Sequence, residues 1–214
     1  MEYHDEYHRT VIHEANNIGM REIDIRGIIE SSIKTKQQII TNETLLLTIR
    51  NIADAIVLCY KNGGKVLFCG NGGSAADAQH LAAELSGRFY FDRPPLEAEA
   101  LHVNSSYITA VANDYSYNDI YSRYVNGVGK PGDVIIGLST SGNSENIVRA
   151  LKVAREKKMI TVGMTGETGG EMKSLADFLL NVPSTDSPRI QESHIMMGHI
   201  FCEIVEENLF GNQR

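Results

Sequence analysis

The stretch Phe68-Cys-Gly-Asn-Gly-Gly-Ser-Ala-Ala-Asp-Ala-Gln-His-Leu-Ala-Ala-Glu84 reads as the end of a buried strand, a glycine turn and the first turns of a helix. Strand, Gly-rich turn and helix N-terminus in that order suit an anionic small molecule. Glycines let the backbone come close, and the free amides of the first helical turn face the anion. On the helix, Asp77, His80 and Glu84 recur at i, i+3 and i+7 and share one face. His80 and Glu84 have the spacing to hold one metal ion, or to work as a base beside a polarising partner. Such a pair is also common on solvated helix faces. Its place just after a glycine turn is what favours chemistry.

Outward from this stretch, the chain alternates. Short apolar runs occur at Lys65–Cys69, at Ala98–Val103 (the weakest), and at Asp133–Leu138, Ile160–Met164 and Phe178–Val182. Helical patterns separate them. Short buried strands alternating with helices predict a parallel sheet covered on both faces, a doubly wound α/β fold of about five strands. Ligands in such sheets bind beyond the carboxyl ends of the strands. Before the first strand the pattern is helical: Ile28, Ile29 and Ile33, then Leu45, Leu46, Ile49, Ile52, Ala53, Ile56 and Val57. Asn42-Glu-Thr reads as a helix start and Asn62-Gly-Gly as a stop. A last helix, about Arg189 to Phe210, is apolar over a wide arc and should be buried against other helices. The expected organisation is one domain over 1–214, with a helical segment over about 1–62 and an α/β core with its closing helix over about 63–214.

Composition narrows the function classes. With 20 Lys+Arg against 27 Asp+Glu, the net charge of −7 argues against a nucleic-acid backbone as main partner. It leaves room for a small anion at a local site. Cys59, Cys69 and Cys202 lie far apart in apolar surroundings, with neither metal spacing nor a disulfide pattern. Buried free thiols in a reducing compartment are the expectation. The polar start of the chain is no signal peptide, and no apolar run reaches the ~20 residues of a membrane span. A soluble, cytoplasmic protein is expected.

A second chemical stretch is Leu138-Ser-Thr-Ser-Gly-Asn-Ser-Glu-Asn146, which also follows a strand and opens a helix. A helix cap needs one hydroxyl. Four, from Ser139, Thr140, Ser141 and Ser144, fit a phosphate monoester beside helix amides. There is no Gly-Lys-Ser/Thr nucleotide loop, and Gly70-Asn-Gly-Gly-Ser74 is not the dinucleotide fingerprint. In Arg189-Ile-Gln-Glu-Ser-His194, Gln191 and His199 lie about two turns apart, near one face, with His194 off that stripe. A histidine in so apolar a helix more often serves the core than a ligand. Asn113-Asp114 suits sugar hydroxyls or a turn equally. His4, His8 and His13 share one helical face and read as a solvated or partner-facing surface.

These motifs in this order closely resemble the phosphoheptose isomerases, of the sugar isomerase (SIS) domain superfamily. The residues that carry the likeness are Gly70–His80, Ala83-Glu-Leu-Ser-Gly-Arg88, Asn113-Asp114, Ser139–Ser144 and Arg189-Ile-Gln-Glu192, from about Lys65 to the chain end. Residues 1–20 depart from it. The resemblance implies a flavodoxin-like five-stranded SIS fold and a homotetramer. It implies interconversion of sedoheptulose 7-phosphate with D-glycero-D-manno-heptose 7-phosphate, a heptose precursor of lipopolysaccharide and other surface glycans. By the same resemblance Glu84 is the base and His199 its acid partner. His80, Glu84, Gln191 and His199 are ligands of one zinc ion per subunit. Asn71, Gly72, Gly73, Ser74, Asp77, Glu84, Arg88, Asn113, Asp114, Ser139, Thr140, Ser141, Ser144 and Gln191 contact the sugar phosphate. Two rival readings share the fold: an adaptor that binds the replication initiator protein, and an SIS enzyme acting on another sugar phosphate. An adaptor has no need of His80, Glu84, Gln191 and His199 together.

Overall fold

The structure, a computed structural model, describes residues 23–211, so the surface reading of His4, His8 and His13 lies outside the described residues. The chain divides into two compact units, Met1–Ile33 and Lys34–Arg214. Helix α1 (Ile25–Ile40) begins in the first and ends in the second. Its Ile28, Ile29 and Ile33, apolar at helical spacing, are exposed. The sheet and the chemical residues all belong to the second unit.

Helix α2 (Glu43–Lys61) begins at Asn42, whose side chain accepts the Leu45 amide, and stops at Asn62 as its sequence signals. Leu45, Ile49, Ile52, Ala53 and Ile56 form its buried stripe. The strands are β1 (Val66–Gly70), β2 (Ala98–Ala100), β3 (Val134–Ser139), β4 (Ile160–Thr165) and β5 (Phe178–Asn181). All pair in parallel, in the order β2-β1-β3-β4-β5. Period-two alternation sends successive side chains to opposite faces. Val66 and Phe68 of β1, with Val134, Ile136 and Leu138 of β3, join one core. Leu67, Cys69 and Ile135 join the other. Both faces must therefore be covered. The first carries α2, α3 (Gly73–Ser86) and α7 (Ser187–Phe210). The second carries α4 (Ser105–Asp114), α5 (Ile120–Val128) and α6 (Glu145–Glu156). This is the doubly wound, flavodoxin-like sheet expected from the sequence. β2 is the shortest strand, and its run breaks after Ala100 because Leu101 and His102 turn. The three cysteines are free and buried.

The chain leaves β1 toward β2 and later returns to β1's other side as β3. That reversal opens a crevice at the carboxyl ends of β1 and β3, where Gly70, the last residue of β1, pairs with Leu138 of β3. The glycine stretch and the serine stretch emerge there side by side.

Candidate active site

Helix α3 forms because its sequence is rich in alanine and leucine, the best helix formers. Ser74, Ala78, Leu81, Ala82 and Leu85 are its buried stripe. Small side chains on that stripe let it lie close to the sheet and to α7. The flank beside that stripe carries Asp77, His80 and Glu84. The turn before the helix needs its glycines: Gly72 has φ +55, and a Cβ at Gly70 would collide with the Ser74 carbonyl.

Helices α3 and α7 run side by side, and one glycine sets their approach. A Cβ at Gly198 would sit 2.5 Å from a Leu81 methyl. Next to this contact His199 Nε2 lies 2.9 Å from His80 Nε2. Glu84 Oε1 lies 3.1 Å from His80 Nε2, with Glu84 only 22% exposed. Ligand atoms of His80, Glu84 and His199 all fall within 4.8 Å of one another. Two imidazole nitrogens converging with a carboxylate oxygen is a donor set that suits a divalent transition metal such as zinc. Three of the four expected ligands are thus gathered. The fourth, Gln191, has its amide packed on Gly73, where a Cβ would meet its Nε2 at 2.6 Å. Gly73 precedes His80 by seven residues, about 10 Å along the helix.

Asp77, one turn before His80, has a buried carboxylate oxygen without a hydrogen-bond partner. Burial pushes its pKa up, and His80 partly offsets the rise. His194 is wholly buried, as its apolar helix suggested. Its Nε2 donates to the Thr165 carbonyl at 3.1 Å, and its Nδ1 has no partner.

In the serine loop, Ser139 and Ser144 hydroxyls meet at 2.9 Å, and Ser139 and Ser141 at 3.4 Å. Ser141 Oγ accepts the Asn143 amide at 3.1 Å. Ser144 stands at the N-cap of α6, yet its side chain makes no capping bond. Capping therefore does not account for this hydroxyl. Thr140 is half-buried beside it. Asn113 and Asp114 close α4, exposed, and hydrogen-bond each other at 2.8 Å. Arg88 is exposed just past the end of α3.

Asn71 contributes differently from its neighbours. Its side chain exchanges two 2.9 Å hydrogen bonds with Asn146 on α6 and accepts from Tyr117 Oη at 3.1 Å. Asn146 also accepts the Ile147 amide. The glycine turn and serine loop are thus stitched across the crevice, and Tyr121 Oη adds a 2.5 Å bond to the Gly70 carbonyl. Sequence reasoning missed Asn146, Tyr117 and Tyr121. Asn146 did end the serine stretch, and a buried amide so near a helix start was a signal for it.

A doubly wound α/β protein with a switch-point crevice, a hydroxyl-rich loop after β3 and a His/Glu/His group on α3 and α7 is the class that this geometry defines. Residues 29–166 match the SIS domain. Phosphoheptose isomerase 2 of Campylobacter jejuni is 51% identical over 187 residues, 87% of this chain and 93% of that protein. The Mycobacterium tuberculosis phosphoheptose isomerase is 53% identical over 183 residues, 86% of this chain and 93% of its own. The solved phosphoheptose isomerase of Francisella tularensis superposes with a TM-score of 0.82 at 38% identity, covering 86% of this chain and 96% of that one. The Neisseria gonorrhoeae structure gives 0.80 at 40% identity, over 86% and 97%. The chain belongs to the phosphoheptose isomerases of the SIS domain family, and is an enzyme of the sugar-phosphate isomerase class.

Proposed function

We propose that this enzyme interconverts sedoheptulose 7-phosphate and D-glycero-D-manno-heptose 7-phosphate, supplying a heptose precursor for surface glycans. The observation that carries the reading is the convergence of His80, Glu84 and His199.

The reaction moves one proton from C1 of the ketose to C2 and redistributes two hydroxyl protons. Glu84 takes the C1 proton and returns it to C2 on the same face. His199 gives a proton to the C2 oxygen and receives the one leaving the C1 hydroxyl. His80, Glu84 and His199 would hold the zinc ion, and when bound it polarises the sugar carbonyl and stabilises negative charge on oxygen. A cation on Glu84 favours its ionised form and so weakens it as a base. The geometry offers a division of labour: Oε1 is the atom turned to His80, and the second oxygen is left for carbon. Ser139, Thr140, Ser141 and Ser144, with the first amides of α6, hold the phosphate and fix the far end of the sugar. Asp77, Arg88, Asn113, Asp114 and Gln191, with the backbone of Gly72–Ser74, complete the substrate contacts. Asn71 serves by fixing the turn. A homotetramer in the cytoplasm is part of the same reading. Among the described residues no helix is long and apolar enough to cross a membrane.

The test incubates purified protein with sedoheptulose 7-phosphate, before and after stripping with a chelator. Aldose should form, cease on stripping, and return with added zinc. Product that survives stripping would remove the metal from the reading. No product under any condition would favour the adaptor.

A further inference from the structure

Arg93 and Glu206 meet inside the protein. Arg93 Nε donates to Glu206 Oε1 at 2.9 Å, and each side chain is 1% exposed. Burying two charges is costly unless further hydrogen bonds complete them. Here they do. The other Arg93 N–H groups donate to the carbonyls of Glu84 at 2.8 Å, Leu85 at 2.9 Å, and Gly87 and Pro94 at 3.1 Å. Two of these carbonyls lie in the last turn of α3 and a third is its C-cap, Gly87, where carbonyls lack partners within the helix and a cation is favoured. Glu206 in turn accepts the amides of Phe89, Tyr90 and Phe91 at 2.9, 2.6 and 3.1 Å.

Both ends of this hub lead to the proposed site. Arg93 holds the turn of α3 that carries Glu84. Glu206 follows His199 by seven residues on α7, two turns along the same face. Phe89, its amide held by Glu206, lays its ring 5.7 Å from the His199 ring, centroid to centroid.

We infer that Arg93 and Glu206 are positioning residues, which set the placement of Glu84 against His199. The inference rests on the reading of His80, Glu84 and His199 as the metal and proton-transfer group. Arg93 reaches that group only at the Glu84 backbone carbonyl. Each acts through a backbone or ring it holds.

Glu206→Gln keeps the volume and removes the charge. Arg93→Lys keeps the charge and removes the planar fork. Leu180→Ala, buried in β5, serves as a destabilised control remote from the hub. Residues that orient metal ligands typically alter affinity or activity by about tenfold or more. The Glu206→Gln enzyme should therefore lose at least about tenfold in kcat with KM within about twofold. Its stripped form should bind zinc at least about tenfold more weakly, in competition with a chromophoric chelator. Leu180→Ala should keep both values despite a comparable fall in Tm. If Glu206→Gln does not fold, Arg93→Lys answers the same question. A folded variant with wild-type kcat and zinc affinity, or a control that loses as much, overturns the inference. Should the wild-type protein bind no zinc, the metal reading fails on its own, and kcat against KM decides the positioning role.

Discussion

Two strand–loop–helix units stand next to each other in this sheet and carry different side chains. After β1, the turn runs into α3 with Gly72 at its cap, and the Ser74 and Ala75 amides bond back to the Asn71 and Gly72 carbonyls. Its ionisable groups come one to three turns along, at Asp77, His80 and Glu84. After β3, the hydroxyls run from its last residue, Ser139, through the loop, before the first turn of α6. The difference follows from residue type. Alanines and a leucine continue the first helix, so chemistry is carried on its exposed face. Serines and a glycine with φ +69 at Gly142 hold the second loop open before its helix starts. In the proposed reading one unit serves the reactive end of a sugar and the other its phosphate. They are held in register by the Asn71–Asn146 pair.

The sharpest way to break this division is at Glu84. Glu84→Gln keeps the shape and loses the base, and general acid–base groups are worth roughly 10²–10⁴ in rate. Turnover should fall by that order, while a heptitol 7-phosphate, which cannot isomerise, binds the stripped variant and the stripped wild type alike by calorimetry. Retained turnover would remove the base assignment. Lost phosphate binding would show that the two units are not separable.

On the other unit, Ser144→Ala removes a hydroxyl that no cap requires. A hydrogen bond to a charged group is worth about 1.5–3 kcal/mol, and 1.4 kcal/mol is tenfold. KM for the sugar phosphate should rise by roughly tenfold or more, with kcat within about threefold. A variant that loses kcat at unchanged KM would place Ser144 with the reactive end instead.

How much of this could be read beforehand depended on sequence distance. Alternating apolar runs and glycines are local signals, and they yielded five parallel strands, the caps of α2 and both chemical loops. The crevice followed, because parallel crossovers leave few arrangements. Contacts between distant segments left no such trace. Arg93 pairs with Glu206 across 113 positions and Asn71 with Asn146 across 75, and nothing local marks either partner. Gly198 is explained only by Leu81 on another helix, which a Cβ there would meet at 2.5 Å. The isoleucines of α1 show the converse. Their helical spacing was plain, but periodicity does not say whether a face is covered, and Ile28, Ile29 and Ile33 are exposed.

The smallest expected effect on turnover concerns a histidine of α7 that belongs to neither unit. His199 faces α3 at the site, whereas His194 lies under β4 with Nε2 on the Thr165 carbonyl. Burial pushes its pKa down to about 4, partly countered by that hydrogen bond. The unfolded chain would take up this proton near 6.5. Between those values the unfolded state binds the proton and the native state does not, so stability falls as the pH drops from about 6.5 to about 4. Above that window the contribution is intact; below it, it is gone. The slope is at most about 1.4 kcal/mol per pH unit, giving a total near 3 kcal/mol. His194→Gln, which retains a donor, should leave kcat at pH 7.5 unchanged and flatten the acid limb of stability measured by urea unfolding. An equally steep limb in the variant would place the acid sensitivity elsewhere. A large loss of kcat at neutral pH would bring His194 into the site, and the separation of the two histidines along one helix would have to be redrawn.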